Sequence, residues 1–140
     1  TNAKMSEYQA AVALASLDCW HKTRSIFSNI TKHYQDRITS KATLSILPSP
    51  EDNHVTSSIM LESKTPLPQG FDERLLENGI ETRRWWGKGL HAQILNRKIQ
   101  STSLTQTKQL AESCIGLPCF PGITTSEIDY VMDTILRELR

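Results

Sequence analysis

Between Glu81 and His91 the chain reads Glu-Thr-Arg-Arg-Trp-Trp-Gly-Lys-Gly-Leu-His. No other stretch gathers so many groups able to hold a ligand: two guanidiniums, two indoles, an ammonium and an imidazole, with two glycines to bend the backbone. Side chains alternate along an extended strand, so Arg83 and Trp85 should share one face and Arg84 and Trp86 the other. One face then offers a cation beside a flat aromatic surface. Arginine meets phosphate through two parallel N–H bonds, and indole stacks on sugar or base rings. The pattern suits a phosphorylated, ring-containing ligand. Residue types alone leave the alternative open, in which the indoles are core and the guanidiniums are solvated. No nucleophile elbow, Walker loop or metal motif accompanies the cluster.

Composition narrows the partners. The net charge is +1, from 16 basic and 15 acidic residues spread evenly, which argues against nucleic acid or an anionic membrane as the main partner. No apolar run approaches the roughly 20 residues that span a bilayer. Cys19, Cys114 and Cys119 form no CxxC pair and read as reduced thiols of a cytoplasmic protein. His21, His33, His54 and His91 lack metal-ligand spacing, so no metal site is expected. A chain of 140 residues is one domain, large enough for its own core.

The elements around the cluster follow from periodicity and punctuation. The polar opening runs straight into a capped helix, as expected of a piece of something larger. Ser6 and Gln9 fit a capping box, Glu7 suits the helix N-terminus, and Met5 is placed for a hydrophobic staple. Ala10, Ala11, Ala13 and Ala15 let this helix approach other backbones closely, which predicts a buried helix. From Ser6 to Ile38 there is neither Gly nor Pro, and Leu14, Leu17, Phe27, Ile30, Tyr34 and Ile38 keep helical spacing. The stripe weakens from Asp18 to Arg24, which predicts one bent helix or two nearly end to end. Lys41 to Asn53 reads as a strand fragment and a loop, His54 to Leu61 as a buried strand, and Lys64 to Gly70 as a turn-rich connection. Phe71 to Asn78 is a helix with Leu75 and Leu76 inward and Gly79 at C′. Ile80 to Trp86 is a second strand candidate. Leu104 to Ile115 reads as a helix with Leu110, Ala111 and Ile115 inward. Gly116 to Gly122 is an apolar loop expected beside a strand or a subunit surface. The last helix has Thr124 and Glu127 as a second capping box and buries Ile128, Val131, Met132, Ile135 and Leu139. The fold class is α+β, helices flanking a few strands.

Three segments, in order, resemble one family. NAKMSEYQAAVALASLD is similar to the Asn-x-Arg-Met-(Ser/Thr/Asp)-x-x-Gln-Ala-Ala segment of the DegT/DnrJ/EryC1/StrS family of pyridoxal-phosphate-dependent nucleotide-sugar aminotransferases. NGIETRRWWGKGLHAQ resembles its Gly-Ile-x-Thr-Arg-x-x-Tyr strand, and QLAESCIGLPCFPGITTSEIDYVMDTI its closing Leu-Ala…Leu-Pro…Pro-Gly-Leu-Thr…Ile-Asp-x-Val segment. The resemblance implies the C-terminal small domain of a fold-type I aminotransferase, with a small antiparallel or mixed sheet flanked by helices. Residues 1–140 would form that single domain, with the catalytic large domain upstream.

The implied reaction moves an amino group from glutamate to a keto nucleotide sugar, of the dTDP-keto-6-deoxyhexose type, for deoxyamino-sugar or surface-polysaccharide biosynthesis. In the family the Schiff-base lysine lies in the large domain, and no lysine here stands in its Ser-x-x-Lys context. No catalytic residue, and no bound pyridoxal 5′-phosphate, is therefore expected of this chain alone. Asn2 matches a family residue that reaches the partner subunit's cofactor phosphate, with Lys4 in place of the usual Arg. Tyr8 would line the sugar pocket. Arg83 and His91 match positions around the nucleotide-sugar site. Trp85 and Trp86 replace the commoner His-Tyr pair, and Lys88 belongs to the same Arg-Arg-Trp-Trp-Gly-Lys-Gly run. The implied partners are the nucleotide sugar, glutamate and a second copy. A self-standing, non-catalytic α+β interaction module is the competing expectation.

Overall fold

The structure is a computed structural model that describes residues 4–49, 55–85, 87–93 and 102–140. Two helices lie end to end, α1 (Glu7–Asp18) and α2 (Trp20–Ile38), with Cys19 as the joint. The capping box forms as expected: Gln9 N–H donates to Ser6 Oγ at 3.2 Å and Ser6 N–H to Gln9 Oε1 at 3.2 Å. The expectation of a buried α1 is corrected. None of its residues is buried, and Leu14 and Leu17 are 62% and 64% exposed. Its apolar residues fall all round the helix, and no described element covers them. A helix of this length is marginal alone in water, so the cap and the junction with α2 carry more than usual.

Three strands form one antiparallel sheet in the order β1 (Leu44–Leu47), β2 (Ile59–Ser63), β3 (Cys114–Leu117). The register aligns Ile46, Leu61 and Ile115 in one row, and all three are buried. Period-two alternation then sends Ile59, Leu61, Ile115 and Leu117 to one face. There they join Tyr34 and Ile38 of α2 and Ile128, Met132 and Ile135 of α5 (Thr125–Glu138) in a single core. The next row, Leu47, Met60 and Gly116, faces the other way. That outer face is the one the candidate site uses. Phe71 and Leu75 of α3 (Phe71–Glu77) close the core, and α4 (Thr105–Ser113) leads directly into β3.

Four expectations shift. The second strand begins at Ile59, not at residue 54, and runs to Ser63. Before it, Thr56 Oγ1 bonds the backbone of Ser58 in both directions, which competes with a ladder. His54, with residues 50–53, lies outside the described residues. Leu76 is 61% exposed, because so short a helix presents only Phe71 and Leu75, one turn apart, to the core. The expected strand from Ile80 to Trp86 does not form over its described residues, 80–85, which make one bridge, Arg83 to Gly116. The helix expected through Ile115 ends at Ser113. Ile115 is buried in β3 instead, and Leu110 is 43% exposed. Residues 116–117, read as loop, belong to that strand. A short apolar run bounded by helix is indistinguishable from helix by periodicity alone.

The last helix meets expectation. Thr124 N–H donates to Glu127 Oε2 at 2.7 Å and Glu127 N–H to Thr124 Oγ1 at 3.2 Å. Accepting that Thr124 N–H holds the Glu127 carboxyl below its ordinary pKa. Ile128, Val131, Met132 and Ile135 are buried and Leu139 is half-buried. Tyr34 is fully enclosed, and its hydroxyl donates to the Pro118 carbonyl at 2.8 Å, tying α2 to the exit of β3. Burial pushes this phenol well above its ordinary pKa.

Replacing Tyr34→Phe leaves that carbonyl without its donor. We expect a loss of about 1–2 kcal/mol in urea unfolding with an unchanged m-value. A loss below about 0.5 kcal/mol would show that the bond does not hold α2 to the strand.

Candidate functional site

Gly79 ends α3 in the left-handed conformation, φ 73°, as its C′ role requires. Ile80 turns inward and is buried, and the chain then runs past the edge of β3. Arg83 N–H donates to Gly116 O at 3.1 Å, and Gly116 N–H to Arg83 O at 2.7 Å. This reciprocal pair fixes the backbone at Arg83, and alternation does the rest. The Arg83 guanidinium lies 5.9 Å from the Trp85 ring centroid, on one side of the segment. That separation is within cation–π range.

Arg84 points the other way and is consumed structurally. Its Nε and Nη2 donate to the Asp72 carboxylate at 2.9 and 3.0 Å, and its Nη1 to the Ala111 and Glu112 carbonyls at 3.2 and 3.3 Å. It therefore joins the first turn of α3 to the last carbonyls of α4, where a cation is favoured by the helix dipole. Arg83 is exposed and has no ion-pair partner among the described residues. Two adjacent arginines thus have opposite roles.

Trp85 separates two clefts. One, of about 450 Å³, is lined by Ser57, Ser58, Glu81, Thr82, Arg83, Trp85 and Phe120, with Gly116 to Cys119 behind them. The other, of about 500 Å³, is largely apolar: Leu47, Met60, Leu90, Leu104, Leu110 and Ala111 meet Trp85, Cys114, His91 and the ion-paired Arg84. His91 Nδ1 is buried there without a hydrogen-bond partner among the described residues. Gly89, at φ 97°, permits that geometry, since a Cβ would stand 2.9 Å from His91 Nδ1 and 2.8 Å from Thr107 Cγ2.

The predicted cluster is therefore divided. Arg83 and Trp85 share the polar cleft, and Trp85 and His91 share the apolar one. Lys88 is exposed and lines neither. Lys4 is exposed and Tyr8 is 80% exposed on the N-terminal arm, and neither lines the clefts at Trp85. Asn2 and Trp86 lie outside the described residues. Sequence reasoning missed Gly116, Ser57, Ser58 and Phe120. No local pattern marks them, because they meet Arg83 only through the tertiary fold.

Pyridoxal phosphate does not fit the described residues alone. Its covalent attachment needs an enclosed, desolvated lysine. Lys4, Lys22, Lys32, Lys41, Lys64, Lys88 and Lys108 are all solvent-exposed. The described residues hold no group of metal-ligating side chains. The cysteines are free thiols. Burial pushes Cys114, in the apolar cleft, above its ordinary pKa, and Cys119, in the polar cleft, up to about 11, so neither is a ready nucleophile near neutral pH.

Residues 1–136 match the sequence model of the DegT/DnrJ/EryC1/StrS aminotransferase family. No curated protein matches the chain. Among solved structures, a Bacillus cereus protein designated a PLP-dependent aminotransferase superposes with a TM-score of 0.82 at 22% identity, over 96% of this chain and 38% of its own. DesI, solved in the presence of its TDP-sugar product, superposes with a TM-score of 0.80 at 24% identity, over 100% of this chain and 37% of its own. NtdA from Bacillus subtilis, with bound PMP cofactor, gives 0.80 at 19% identity over 99% and 33%. The chain thus has the fold of one part of these proteins and spans little more than a third of their length.

The division of labour between the two arginines is measurable. Arg84→Ala should lower stability by about 1–2 kcal/mol in urea, because it leaves Asp72 and two helix-end carbonyls unpaired. Arg83→Ala should stay within about 0.5 kcal/mol of the parent. Equal effects would contradict the assignment.

Proposed function

The chain belongs to the DegT/DnrJ/EryC1/StrS aminotransferase family, and from that premise we propose that it is the C-terminal small domain of a sugar aminotransferase. The parent enzyme would take an amino group from glutamate and deliver it to a keto nucleotide sugar, of the dTDP-keto-6-deoxyhexose type. One observation carries the substrate side of this reading. An exposed guanidinium and an indole are held 5.9 Å apart on a hydrogen-bonded backbone, facing a polar cleft. That arrangement fits a diphosphate joined to a ring better than it fits a neutral metabolite.

On this reading Arg83 takes the diphosphate through paired N–H bonds, and Trp85 supports a sugar or base ring. His91, across Trp85 in the apolar cleft, would face the less polar part of the same ligand, and Tyr8 would lie toward the sugar across an interface. Asn2 and Lys4 serve the phosphate side of a partner subunit's cofactor in a cytoplasmic homodimer. The described residues bind and orient; they do not move the proton. Pyridoxal phosphate, held by a large domain outside these residues, would supply the electron sink. Fixing the nucleotide sugar at one end lowers the entropic cost of presenting its keto carbon. The uncovered apolar residues of α1 give the large domain a surface to pack on, which supports this reading over a free-standing interaction module.

Two assays test this. The 140-residue chain, mixed with pyridoxal phosphate, glutamate and a keto nucleotide sugar, should retain no cofactor on gel filtration and form no amino sugar. Turnover by the chain alone would overturn the small-domain reading. In the full-length enzyme, Arg83→Ala should raise KM for the nucleotide sugar about tenfold while kcat changes less than about threefold. A collapse of kcat at unchanged KM would place Arg83 outside substrate binding.

A further inference from the structure

Gly116 is buried within β3, paired with Met60 on one edge and with Arg83 on the other. Its neighbours Ile115 and Leu117 point into the core, so any side chain at 116 would project from the outer face. That space is taken. A Cβ there would stand 3.0 Å from Trp85 Nε1 and 3.1 Å from the Arg83 carbonyl oxygen. Both distances are tighter than ordinary van der Waals contact, and one of them is to backbone. The edge of the indole therefore rests against the strand only because residue 116 has no side chain.

We infer that Gly116 is a positioning residue for the Arg83–Trp85 pair and thereby sets which ligands the polar cleft accepts. Trp85 is the wall between the two clefts, and Arg83 reaches over its ring. Moving the indole off the strand changes the spacing between cation and ring and opens one cleft into the other. The backbone at Arg83 moves with it, because the same glycine holds Arg83 through both hydrogen bonds. The ligand class that depends on this spacing is an anion one short linkage away from a planar or puckered ring. The inference rests on the reading of Arg83 and Trp85 as ligand contacts.

The test uses the 140-residue chain, isotope-labelled for NMR, with thymidine 5′-diphosphate as the probe. The variants are Gly116→Ala, Trp85→Phe and the double substitution. Trp85→Phe also identifies the Trp85 indole N–H signal. Without probe, Gly116→Ala should shift that signal while the amides of Leu61 and Ile128 stay in place. With probe, Gly116→Ala should weaken binding about tenfold, the size of one lost stacking contact. In the Trp85→Phe background, which removes the Nε1 contact and keeps the one to the Arg83 carbonyl, the same alanine should weaken it by a clearly smaller factor. Equal losses in both backgrounds, or unchanged binding by Gly116→Ala, would overturn the inference. If the parent chain does not bind the probe although the indole signal shifts, the ligand reading of Arg83 and Trp85 fails, and the specificity role with it. If Gly116→Ala alone does not fold, recovery of folding in the double variant supports the contact, and failure of both overturns it.

Discussion

Strand β3 is held from both edges, and the site depends on that constraint. Met60 of β2 pairs with Gly116 on one side, and the Arg83 backbone pairs with it on the other. Alternation then places Ile115 and Leu117 in the core and leaves Cys114 and Gly116 outward. A slip by one residue would exchange the two sets, exposing an isoleucine that is now fully enclosed. The strand's exit is pinned as well, by the Tyr34 hydroxyl on the Pro118 carbonyl. The core that seals α2 and α5 against the sheet therefore also determines where Arg83 and Trp85 stand.

What the sequence discloses here is what is local. Both capping boxes, Ser6 with Gln9 and Thr124 with Glu127, are contained within four residues, and both form as read. The joint near Cys19 is visible as a break in the apolar stripe. The alternation of Arg83 and Arg84 about the segment is also legible, because it follows from backbone geometry alone. Which arginine is free is not legible. Asp72, twelve positions upstream, claims Arg84, and only the packing of α3 beside the end of α4 brings them together. Strand β3 escapes for a different reason: it follows α4 without a connecting loop, with no glycine or proline between them to mark the change. The many alanines of α1 indicate a helix, but the burial read from them does not occur among the described residues, where none of its side chains is buried.

The site's chemistry divides along the indole of Trp85. On one side lie the Arg83 guanidinium, hydroxyls and a carboxylate; on the other lie leucines, a methionine, the ion-paired Arg84 and an imidazole with one buried nitrogen that has no partner among the described residues. A ligand with a charged end and a less polar ring is matched by such a partition, and a small neutral metabolite is not. Residues 1–136 belong to the DegT/DnrJ/EryC1/StrS aminotransferase family, and the chain spans little more than a third of the length of the solved structures it superposes on. Among the described residues the lysines are exposed, and burial raises the pKa values of Cys114 and Cys119.

The most direct measurement is the position of the diphosphate in a crystal structure of the full-length protein with a bound keto nucleotide sugar. The account predicts phosphate oxygens about 3 Å from the Arg83 guanidinium nitrogens, with a ring of the ligand against Trp85. A diphosphate held elsewhere, with Arg83 facing open solvent, would contradict it.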